Sequence, residues 1–587
     1  MRPSIRDIIV WLHLFVYCRS VMAMFMEWIK IENYRNIVDV ELHFHNDINY
    51  FVGENAVGKS NFLDLLEQMM NARGFQESDF ADVHRPIRIE CKMSFSELTT
   101  SFQDMIGPED GMYLRLEQVV QEVYPRLYKV DGEKLTPIPL YMLRHTIYMC
   151  HRDTSEAELY SIPTLVYMEL GKQLVNYLPK TGLTSDNAIA LDSFINVRMG
   201  LDPECVLNIQ RLVELLTSST EANLIRKYSI DNVRLIMAVA LKILAQIYMK
   251  VHSASSNLES LLVYDSEGRR FLPVFISVDE PELHLSPYLQ RAVLNYYRQI
   301  ATNENAEFLA LIKQLFQIDG LLGQLFVVTH STDALVDDYR HIIRMYRDET
   351  GLVRAACGVT FKFAREVEKH LIMHFPEAKE ALYARCIILV EGETEYGSFA
   401  GIAKKLNVDF DYFGICLINA RGESSISKLH KLFKSFAIPT VALYDRDVMD
   451  KHSKKHANIF YTDEICFEMD VVSHLIHHHH RDILDMIVQD IIDTGRGMVT
   501  KDMARRGFSK LGVDDRQAVQ RCLKNIKAKD IETLLLYYFS WFYSNKGVIV
   551  GRRIAHYIPK HVVPPVFIAV IERAKELSLE SSVIKIG

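Results

Sequence analysis

Residues 48–70 read INYFVGENAVGKSNFLDLLEQMM, and this stretch decides the fold of the first part of the chain. An apolar strand leads into a loop, GENAVGKS (53–60), and an amphipathic helix follows. The loop fits the pattern G-x-x-x-x-G-K-[S/T] in the strand–loop–helix context that this phosphate-binding motif requires. The sequence therefore predicts a phosphate site at the carboxyl end of a buried strand.

Each residue type in this loop has a physical reason. Gly53 and Gly58 let backbone amides approach phosphate oxygens, and the helix N-terminus adds a partial positive charge. We expect Lys59 to reach the β- and γ-phosphates of ATP and Ser60 to ligate the accompanying Mg²⁺. Asn55, in the same loop, completes the predicted nucleotide-binding set.

Two later apolar strands end in the polar residues that such a site needs. LPVFISVDEPELHLSP (272–287) carries Asp279 and Glu280, and QLFVVTHSTDAL (324–335) carries His330. We expect Asp279 to hold Mg²⁺ through water and Glu280 to polarise the attacking water. His330 is placed to sense the γ-phosphate. A polar residue at a strand end is common, but the ordered trio favours one composite site.

Lys59 and Asp279 are 220 positions apart, which is too far for a compact GTPase-like or kinase-like layout. With NYRNI (33–37), this spacing resembles the ABC-type ATPases of the SMC and RecF group, in which an insertion splits the nucleotide domain. The resemblance implies an ATPase domain over residues 26–370 with a helical insert at about 150–225 for self-association. Periodicity alone fits plain core helices in that insert equally well.

The same resemblance implies a signature serine that completes the ATP site of a second copy across a dimer. The candidate is Ser229, in YSIDNVRLIMAVALKIL (228–244). The sequence departs from the family here, because the usual glycine is absent and Asp231 stands at or beside its place. A carboxylate near the γ-phosphate repels it. We therefore expect slow ATP turnover and a nucleotide-gated clamp rather than a motor.

A second strand–turn–helix pattern lies in ARCIILVEGETEYGSFAGIAKKL (384–406), which carries Glu391 at the strand end and Glu395 on the helix. TVALYDRDVMD, another apolar strand, ends in Asp445 and Asp447. Alternating strands and helices with acids at the strand ends indicate a small parallel sheet with its site at the carboxyl edge. Clustered carboxylates need protons or a divalent cation, and hard oxygen ligands favour Mg²⁺ or Mn²⁺ over zinc.

LVEGETE followed by LYDRD resembles the TOPRIM domain of topoisomerases, primases and OLD-family nucleases. With the ATPase pattern before it, the chain resembles the OLD family over residues 26–587, including the Gabija nuclease subunit and retron-associated OLD nucleases. The resemblance implies a TOPRIM domain with added helices over residues 380–587. The predicted fold class is thus α/β, a split ABC-type ATPase domain with a helical dimerisation insert, followed by a C-terminal TOPRIM domain.

For the TOPRIM site, the resemblance implies two metal ions about 4 Å apart that hydrolyse a phosphodiester. It adds Glu464 and Glu468 as ligands, and Lys546 as a catalytic residue that stabilises charge on the phosphate. From the residues alone, all three would be solvated surface positions. The six predicted ligands divide between the two ions as follows: Glu391, Asp445 and Asp447 for one, and Glu395, Glu464 and Glu468 for the other. Glu391, Asp445 and Asp447 are also predicted to be catalytic.

The resemblance further implies an ATP-regulated DNA endonuclease that acts against phage as a homodimer or tetramer. A defence partner is implied as well, either a helicase or a reverse transcriptase with its RNA–DNA. The alternative from another class is a non-nucleolytic ATP-dependent DNA clamp of the RecF or SMC-head type. Residues 496–530 carry ten Lys/Arg against four Asp. This charge fits a DNA-backbone contact, although such runs are often only solvated.

Composition narrows the class of protein further. The 587 residues are 49% hydrophobic and 24% charged, which excludes disordered and collagen-like chains. Nine cysteines without a C-x-x-C pair argue against a disulfide framework and favour a reducing cytoplasm. A net charge of −8 excludes a generally basic nucleic-acid coat. Residues 1–25, whose apolar run is too short to span a bilayer, are predicted to be an extension outside the fold, and no membrane contact is predicted.

Overall fold

The computed structural model describes residues 23–96, 98–100, 106, 111–152, 166, 169–170, 230–252, 258–283, 285–336, 338–451, 457–491 and 497–580. The chain divides into two compact units, Met1–Tyr346 with Leu352–Thr360, and Arg347–Gly351 with Phe361–Gly587. The second unit thus continues from residue 361, nine residues before the predicted end of the ATPase domain at 370. Ser229 and most of the predicted insert at 150–225 lie outside the described residues.

The first unit is a mixed α/β body. Its strands, in chain order, are β1 (Ala23–Tyr34), β2 (Ile37–His43), β3 (Ile48–Val52), β4 (Ile87–Ser96), β5 (Thr99–Thr100), β6 (Gly111–Gln118), β7 (Arg126–Asp131), β8 (Lys134–Ile138), β9 (Ile147–His151), β10 (Val263–Tyr264), β11 (Arg270–Asp279), β12 (Gly320–Val328), β13 (Ile342–Arg347) and β14 (Val353–Cys357). Its helices are α1 (Lys59–Met70), α2 (Ile230–Val251), α3 (Leu258–Leu261), α4 (Pro287–Ala301) and α5 (Ala306–Phe316).

An antiparallel sheet of six strands, in the order β2-β1-β4-β6-β7-β8, forms one layer of this unit. None of the motifs in the sequence predicts this sheet. Its first strand begins at Ala23, so residues 23–25, which were predicted to lie in an extension outside the fold, are part of it. The reason is hydrophobic: Met24 and Met26 are both buried in the core of the unit.

A second sheet, in the order β14-β13-β3-β12-β11-β10-β5 with β9 also paired to β11, carries the predicted phosphate loop. Strands β13, β3, β12, β11 and β9 run parallel. In this register Asp279, the last residue of β11, lies beside Val328 of β12, and Val328 lies beside Phe51 of β3. The loop after β3 and the acid that ends β11 therefore share the carboxyl edge of one sheet, separated by a single strand.

An aromatic cluster fixes α1 beneath this sheet. The ring centroid of Phe62, on α1, lies 4.7 Å from that of Phe51 and 6.2 Å from that of Phe326. Phe44 completes the group at 5.9 Å from Phe62. All four rings are buried, and such aromatic pairs contribute about 0.5–1.5 kcal/mol each beyond the area they bury. The helix that carries Lys59 at its first position is thereby held in a fixed orientation.

The second unit contains a parallel four-stranded sheet in the order β16-β15-β17-β18, with helices around it. Its strands are β15 (Cys386–Val390), β16 (Ile415–Asn419), β17 (Thr440–Tyr444) and β18 (Ile459–Tyr461), followed by the pair β19 (Met498–Val499) and β20 (Arg521–Cys522). Its helices are α6 (Arg365–Ala378), α7 (Glu393–Lys405), α8 (Phe410–Phe413), α9 (Glu423–Ser435), α10 (Phe467–His477), α11 (Arg481–Asp490), α12 (Lys501–Lys510), α13 (Ile531–Ser544), α14 (Val548–Tyr557) and α15 (Pro565–Glu580). The parallel sheet predicted for this half is confirmed.

Helices α7 and α14 pack with their backbones almost in contact. A Cβ atom built on Gly397 of α7 would lie 2.4 Å from the carbonyl oxygen of Val548, and one on Gly551 of α14 would lie 2.1 Å from that of Thr394. Lys405, at the end of α7, donates two hydrogen bonds of 2.6 Å to carbonyls at the end of α14. Only glycine permits this approach, so the sequence itself sets the distance between the two helices.

Replacing Gly551 by alanine is expected to lower the free energy of unfolding of the second unit by about 1–3 kcal/mol, because the added methyl group overpacks the helix contact. Urea denaturation of the full chain measures the loss. Arg552→Ala, an exposed position on the same helix, is the matched control and should change little. Equal stability of Gly551→Ala and parent would show that the helices can separate at no cost.

The cysteines of the described ranges are free thiols, most of them buried. No helix within the described part of the chain is long and apolar enough to cross a membrane.

Candidate functional site

The phosphate loop has a backbone that only glycine can supply at its two key positions. Gly53 has φ of 134° and Gly58 has φ of 105°, both outside the range that other L-residues favour. A Cβ on Gly53 would lie 2.1 Å from the Met345 carbonyl oxygen, and one on Gly58 would lie 2.7 Å from Asn36 Oδ1. Asn55 lies exposed at the tip of the loop. Its predicted contact with nucleotide stays a prediction.

Lys59 is the first residue of α1 and is buried within the loop. Its ammonium group donates hydrogen bonds to the carbonyl oxygens of Gly53 at 2.9 Å and Glu54 at 2.7 Å. Burial lowers the pKa of Lys59 to about 8, although the carboxylates of Glu280 and Asp279 oppose this shift. The side chain thus remains mostly charged at pH 7 and is placed where a bound phosphate would replace weaker carbonyl partners.

Ser60 and Asp279 meet across the sheet edge. The Ser60 hydroxyl donates to Asp279 Oδ1 at 3.4 Å, a long contact that leaves room for an ion between the two groups. Burial, together with the neighbouring charge of Glu280, raises the pKa of Asp279. Glu280 adopts a left-handed φ of 48° directly after the strand and keeps a half-exposed side chain. Oxygen donors of this kind suit Mg²⁺ rather than a softer ion.

Glu282, which was not among the predicted site residues, organises the loop that follows β12. Its carboxylate accepts a hydrogen bond from the Thr329 hydroxyl at 2.7 Å and another from the backbone amide of His330 at 2.5 Å. The His330 ring lies 3.9 Å from Glu280 Oε1, and burial followed by the nearby Lys59 charge lowers the pKa of His330. A neutral imidazole is therefore held between the loop lysine and the predicted catalytic glutamate.

The NYRNI turn anchors α1 from outside the loop. Arg35, with a left-handed φ of 46°, donates from Nε to Asp79 at 2.9 Å and from Nη1 to Asp64 at 2.6 Å and to Asn61 at 2.9 Å. Asn61 in turn donates to Asn36 at 2.8 Å. Asn61 and Asp64 both lie on α1, so this turn tethers the helix that carries Lys59 and Ser60.

The second candidate site forms at the carboxyl edge of the sheet in the other unit. Strands β15 and β17 are neighbours and parallel, so Glu391 and Asp445, which follow them directly, emerge side by side. The backbone amide of Asp445 donates to Glu391 Oε2 at 3.5 Å. Burial, followed by the Asp447 and Glu423 charges, raises the pKa of Glu391, which Lys510 opposes.

Two acids from the adjoining helices complete a carboxylate cluster, defined as Glu391, Glu395, Asp445 and Glu468. Glu395 of α7 and Glu468 of α10 are each 6% exposed. Burial, followed by the negative charges of Glu391 and Glu468, raises the pKa of Asp445 to about 8. Burial, followed by the charges of Glu468 and Asp445, raises the pKa of Glu395 well above its usual value. Four acids at one sheet edge, two of them buried and two half-buried, fit a divalent cation, because the alternative is protonation or mutual repulsion.

A hydrogen-bond relay connects this cluster to the turn that carries Lys546. The Thr394 hydroxyl donates to Glu468 Oε1 at 2.8 Å and accepts from the Gly547 backbone amide at 3.1 Å. Lys546 itself is exposed, and its ammonium group lies 4.9 Å from the centre of the Tyr543 ring. Thr394, which no sequence motif singles out, thus holds both Glu468 and the residue next to Lys546.

Asp447 and Glu464 are two more predicted ligands, but their closest described contacts are with residues outside the carboxylate cluster. Lys510, in the basic stretch 496–530, donates to Asp447 Oδ2 at 2.6 Å. Glu464 accepts from the Ser473 hydroxyl at 2.8 Å. Among the described residues, no three of the six predicted carboxylate ligands have ligand atoms that all lie within 4.8 Å of one another. The predicted division of six ligands between two ions therefore stays a prediction.

Asp470 holds the segment that presents Glu464. Although only 3% exposed, it accepts hydrogen bonds from the backbone amides of Asp463 at 3.0 Å and Glu464. Burial, followed by the charges of those two acids, raises the pKa of Asp470 to about 7 against the effect of the amide donors. Asp470 thus acts on the site through the backbone that carries a predicted ligand.

Replacing Asp470 by asparagine is expected to lower the free energy of unfolding by about 1–3 kcal/mol, because the new NH₂ group faces one of two buried amide donors. Urea denaturation of the full chain gives the value. Asp482→Asn, at an exposed position in the same unit, should stay within about 0.5 kcal/mol of the parent. Equal losses in the two variants would remove the proposed role of Asp470.

Two family models match the chain. The AAA ATPase domain matches residues 24–156, which include the phosphate loop. The Overcoming lysogenization defect protein-like TOPRIM domain matches residues 382–447, which include Glu391 and Asp445. The fold and the two sites thus define an ATPase domain joined to a TOPRIM domain. That TOPRIM domain is of the OLD-like type, and the predicted ATPase–TOPRIM architecture is confirmed.

Curated and solved relatives match parts of the chain. The DNA replication and repair protein RecF of Oenococcus oeni is 30% identical over 84 residues, which are 14% of this chain and 21% of that protein. The C-terminal region of the Xanthomonas campestris pv. campestris OLD protein is 18% identical, covering 34% of this chain and 97% of that one, with a TM-score of 0.24. An Smc head bound to the C-winged helix domain of ScpA is 10% identical, covering 56% and 97%, with a TM-score of 0.30.

Proposed function

We propose that this chain is a DNA endonuclease that depends on Mg²⁺ or Mn²⁺ and is regulated by ATP. The carboxylate cluster at the carboxyl edge of an OLD-like TOPRIM sheet carries this proposal. Four acids that are buried or half-buried, three of them with raised pKa values, have no structural use that apolar residues would not serve better. A cation-binding and therefore chemical role explains their burial.

A divalent cation at this cluster supplies Lewis-acid activation of a phosphodiester and of water. In this proposal Glu391, Glu395, Asp445 and Glu468 hold the cation, and Asp447 joins them when Lys510 turns to a DNA phosphate. Lys546, tied to the cluster through Gly547 and Thr394, stabilises negative charge on the phosphate. The exposed cations between residues 496 and 530 bind the DNA backbone.

ATP with Mg²⁺ is proposed to bind the first unit. The loop amides and Lys59 bind the phosphates, Ser60 and Asp279 hold the ion, and Glu280 orients water while His330 contacts the γ-phosphate. A second copy would complete the site through Ser229, which makes a homodimer or tetramer part of the proposal. Defence against phage, a cytoplasmic location and a helicase or reverse transcriptase partner are further proposals. A phage plating assay on cells with and without the gene and its neighbours tests them.

The alternative function is an ATP-dependent DNA clamp without nuclease activity. The matches to RecF, which cover 84–88 residues of this chain, favour it for the first unit alone. Supercoiled plasmid incubated with the purified full chain, with Mg²⁺, Mn²⁺ or EDTA and with or without ATP, separates the two functions. Nicked or linear product only with metal supports the nuclease. DNA binding that responds to ATP, with intact plasmid under every condition, supports the clamp.

The affinity for Mn²⁺ at the cluster is expected to rise by up to about tenfold per pH unit between pH 6.5 and 8, because cation and proton compete for Asp445. The pKa of Asp445 is raised from 3.8, the value in the unfolded chain, to about 8 in the fold. The metal-free fold therefore loses stability as the pH rises from about 3.8 towards 8. Calorimetric titration at four pH values measures the slope. A pH-independent affinity would contradict the shift.

A further inference from the structure

A group of two histidines and one aspartate lies at the amino edge of the parallel sheet in the first unit, at the end opposite the phosphate loop. Asp47 immediately precedes β3 and His341 immediately precedes β13, and these strands are parallel neighbours. His45 lies two residues before Asp47. A nitrogen of each ring and an oxygen of Asp47 lie within 4.8 Å of one another, and within the described part of the chain this is the one such trio.

The distances within the trio suit a small ion. Asp47 Oδ1 lies 2.5 Å from His45 Nδ1 and 3.3 Å from His341 Nδ1, and the two ring centroids are 3.9 Å apart. Ligand atoms in tetrahedral zinc sites lie about 3.3 Å apart when each is 2.0–2.1 Å from the ion. On this geometry the His45–Asp47 pair would have to open by about 0.8 Å. His341 Nδ1 would also exchange its 2.9 Å hydrogen bond with the Ile48 carbonyl oxygen for the ion.

Charge favours a cation over two protons. Asp47 Oδ1 faces a ring nitrogen of both His45 and His341, so the carboxylate is placed to bind an ion together with both rings. If both imidazoles were protonated, two positive rings would pack against each other at 3.9 Å. One divalent ion satisfies the carboxylate and leaves both rings neutral, which is the form in which histidine binds metals.

The scaffold that presents the trio is rigid. Asn49, which is 1% exposed, accepts from the His45 backbone amide at 2.7 Å and donates to its carbonyl at 2.9 Å. The buried Gln324 side chain donates to the same carbonyl at 2.8 Å and to that of Met26 at 3.0 Å. The three ligand side chains are 26%, 25% and 13% exposed, so an ion has access from solvent.

We propose that His45, Asp47 and His341 bind one Zn²⁺-class transition-metal ion, with water in the remaining position. Two imidazoles and a carboxylate prefer such an ion to Mg²⁺. The ion would join the loop before β3 to the start of β13 and so stabilise that edge of the sheet. This site is separate from the carboxylate cluster and does not depend on the proposed nuclease function.

The test is a Zn²⁺ titration of the chelator-stripped full chain in excess Mg²⁺, which occupies carboxylate sites. The histidines at 477–480, three of which are exposed, are other candidates for Zn²⁺ binding, so the double variant His478→Ala/His479→Ala is the matched control. We expect His45→Ala and His341→Ala each to lose one tight equivalent that the control keeps. Asp47→Asn, which preserves shape, should weaken that equivalent at least tenfold.

Co²⁺ added to the parent and control should give visible absorption bands of histidine coordination that the three trio variants lack. Circular dichroism of each variant establishes that it is folded. Equal Zn²⁺ stoichiometry and affinity in the parent, Asp47→Asn and His341→Ala would overturn the proposal. A parent that takes up no tight Zn²⁺ while the trio variants unfold more easily would also overturn it, in favour of a metal-free ion pair.

Discussion

Asp445→Asn is expected to reduce metal-dependent DNA cleavage by at least about a hundredfold, since ligand loss exceeds the 10–100-fold cost of altering a supporting group. Asparagine keeps the shape of aspartate and can still accept from the Phe467 amide, which lies 3.2 Å from Asp445 Oδ1. It removes the negative charge that a divalent cation requires. The initial rate of plasmid nicking at saturating Mg²⁺ and Mn²⁺ measures the loss.

The change should also relieve repulsion among the acids, because Glu391 and Glu468 lose a like-charged neighbour. The variant is therefore expected to be at least as stable as the parent without metal but to gain little stability when metal is added. Asp411→Asn, an exposed position in the same unit, serves as the matched control and should cut at the parental rate. Parental cleavage by Asp445→Asn would refute the proposed metal site.

Lys59→Ala is expected to weaken ATP binding by at least about a hundredfold, since a charge-assisted contact to phosphate contributes about 1.5–3 kcal/mol and its loss also leaves the phosphates uncompensated. In the structure Lys59 also joins the carbonyls of Gly53 and Glu54, so its removal loosens the loop as well. Equilibrium binding of a fluorescent ATP analogue to the full chain measures the change.

Lys134→Ala, an exposed lysine on β8, is the control for the loss of one positive charge from the same unit. If ATP regulates cleavage, Lys59→Ala should cut at a rate that no longer varies with ATP concentration. Undiminished ATP affinity in Lys59→Ala would contradict the nucleotide site. An intact ATP response of cleavage together with lost ATP binding would instead separate regulation from this site.

Local sequence carried enough information to predict both sites in outline. When an apolar run that forms a buried parallel strand ends in an acid, that acid lies at the carboxyl edge of the sheet. This rule alone predicts that Glu391 lies near Asp445 and that Asp279 lies near the phosphate loop. The strand order is not needed for the prediction, because all carboxyl ends of a parallel sheet share one edge. The family resemblance added Glu468, whose spacing by itself would indicate a solvated helix face.

Other parts of the sites depend on tertiary contacts that no local pattern encodes. Lys510 lies 63 positions from Asp447, and nothing in its helix distinguishes it from the neighbouring cations. Glu282 accepts the backbone amide of His330, 48 positions away, and Asp470 accepts amides in the loop just before its helix, roles that any acid could fill on sequence grounds. The antiparallel sheet was missed because its strands alternate polar and apolar residues between other motifs, without a chemical signature of their own.

The near contact of α7 and α14 has a consequence for how the second unit tolerates change. Glu395 and Lys546, two residues of the proposed nuclease site, lie at or just before the starts of these helices, whose spacing is set by contacts of main chain against main chain without intervening side chains. We therefore expect Gly397 and Gly551 to be invariant among natural homologues, whereas the residues at exposed positions of the same helices vary. In a mutational scan of activity, substitutions at these two glycines should be as damaging as substitutions at the acids of the carboxylate cluster, although glycine has no functional side chain.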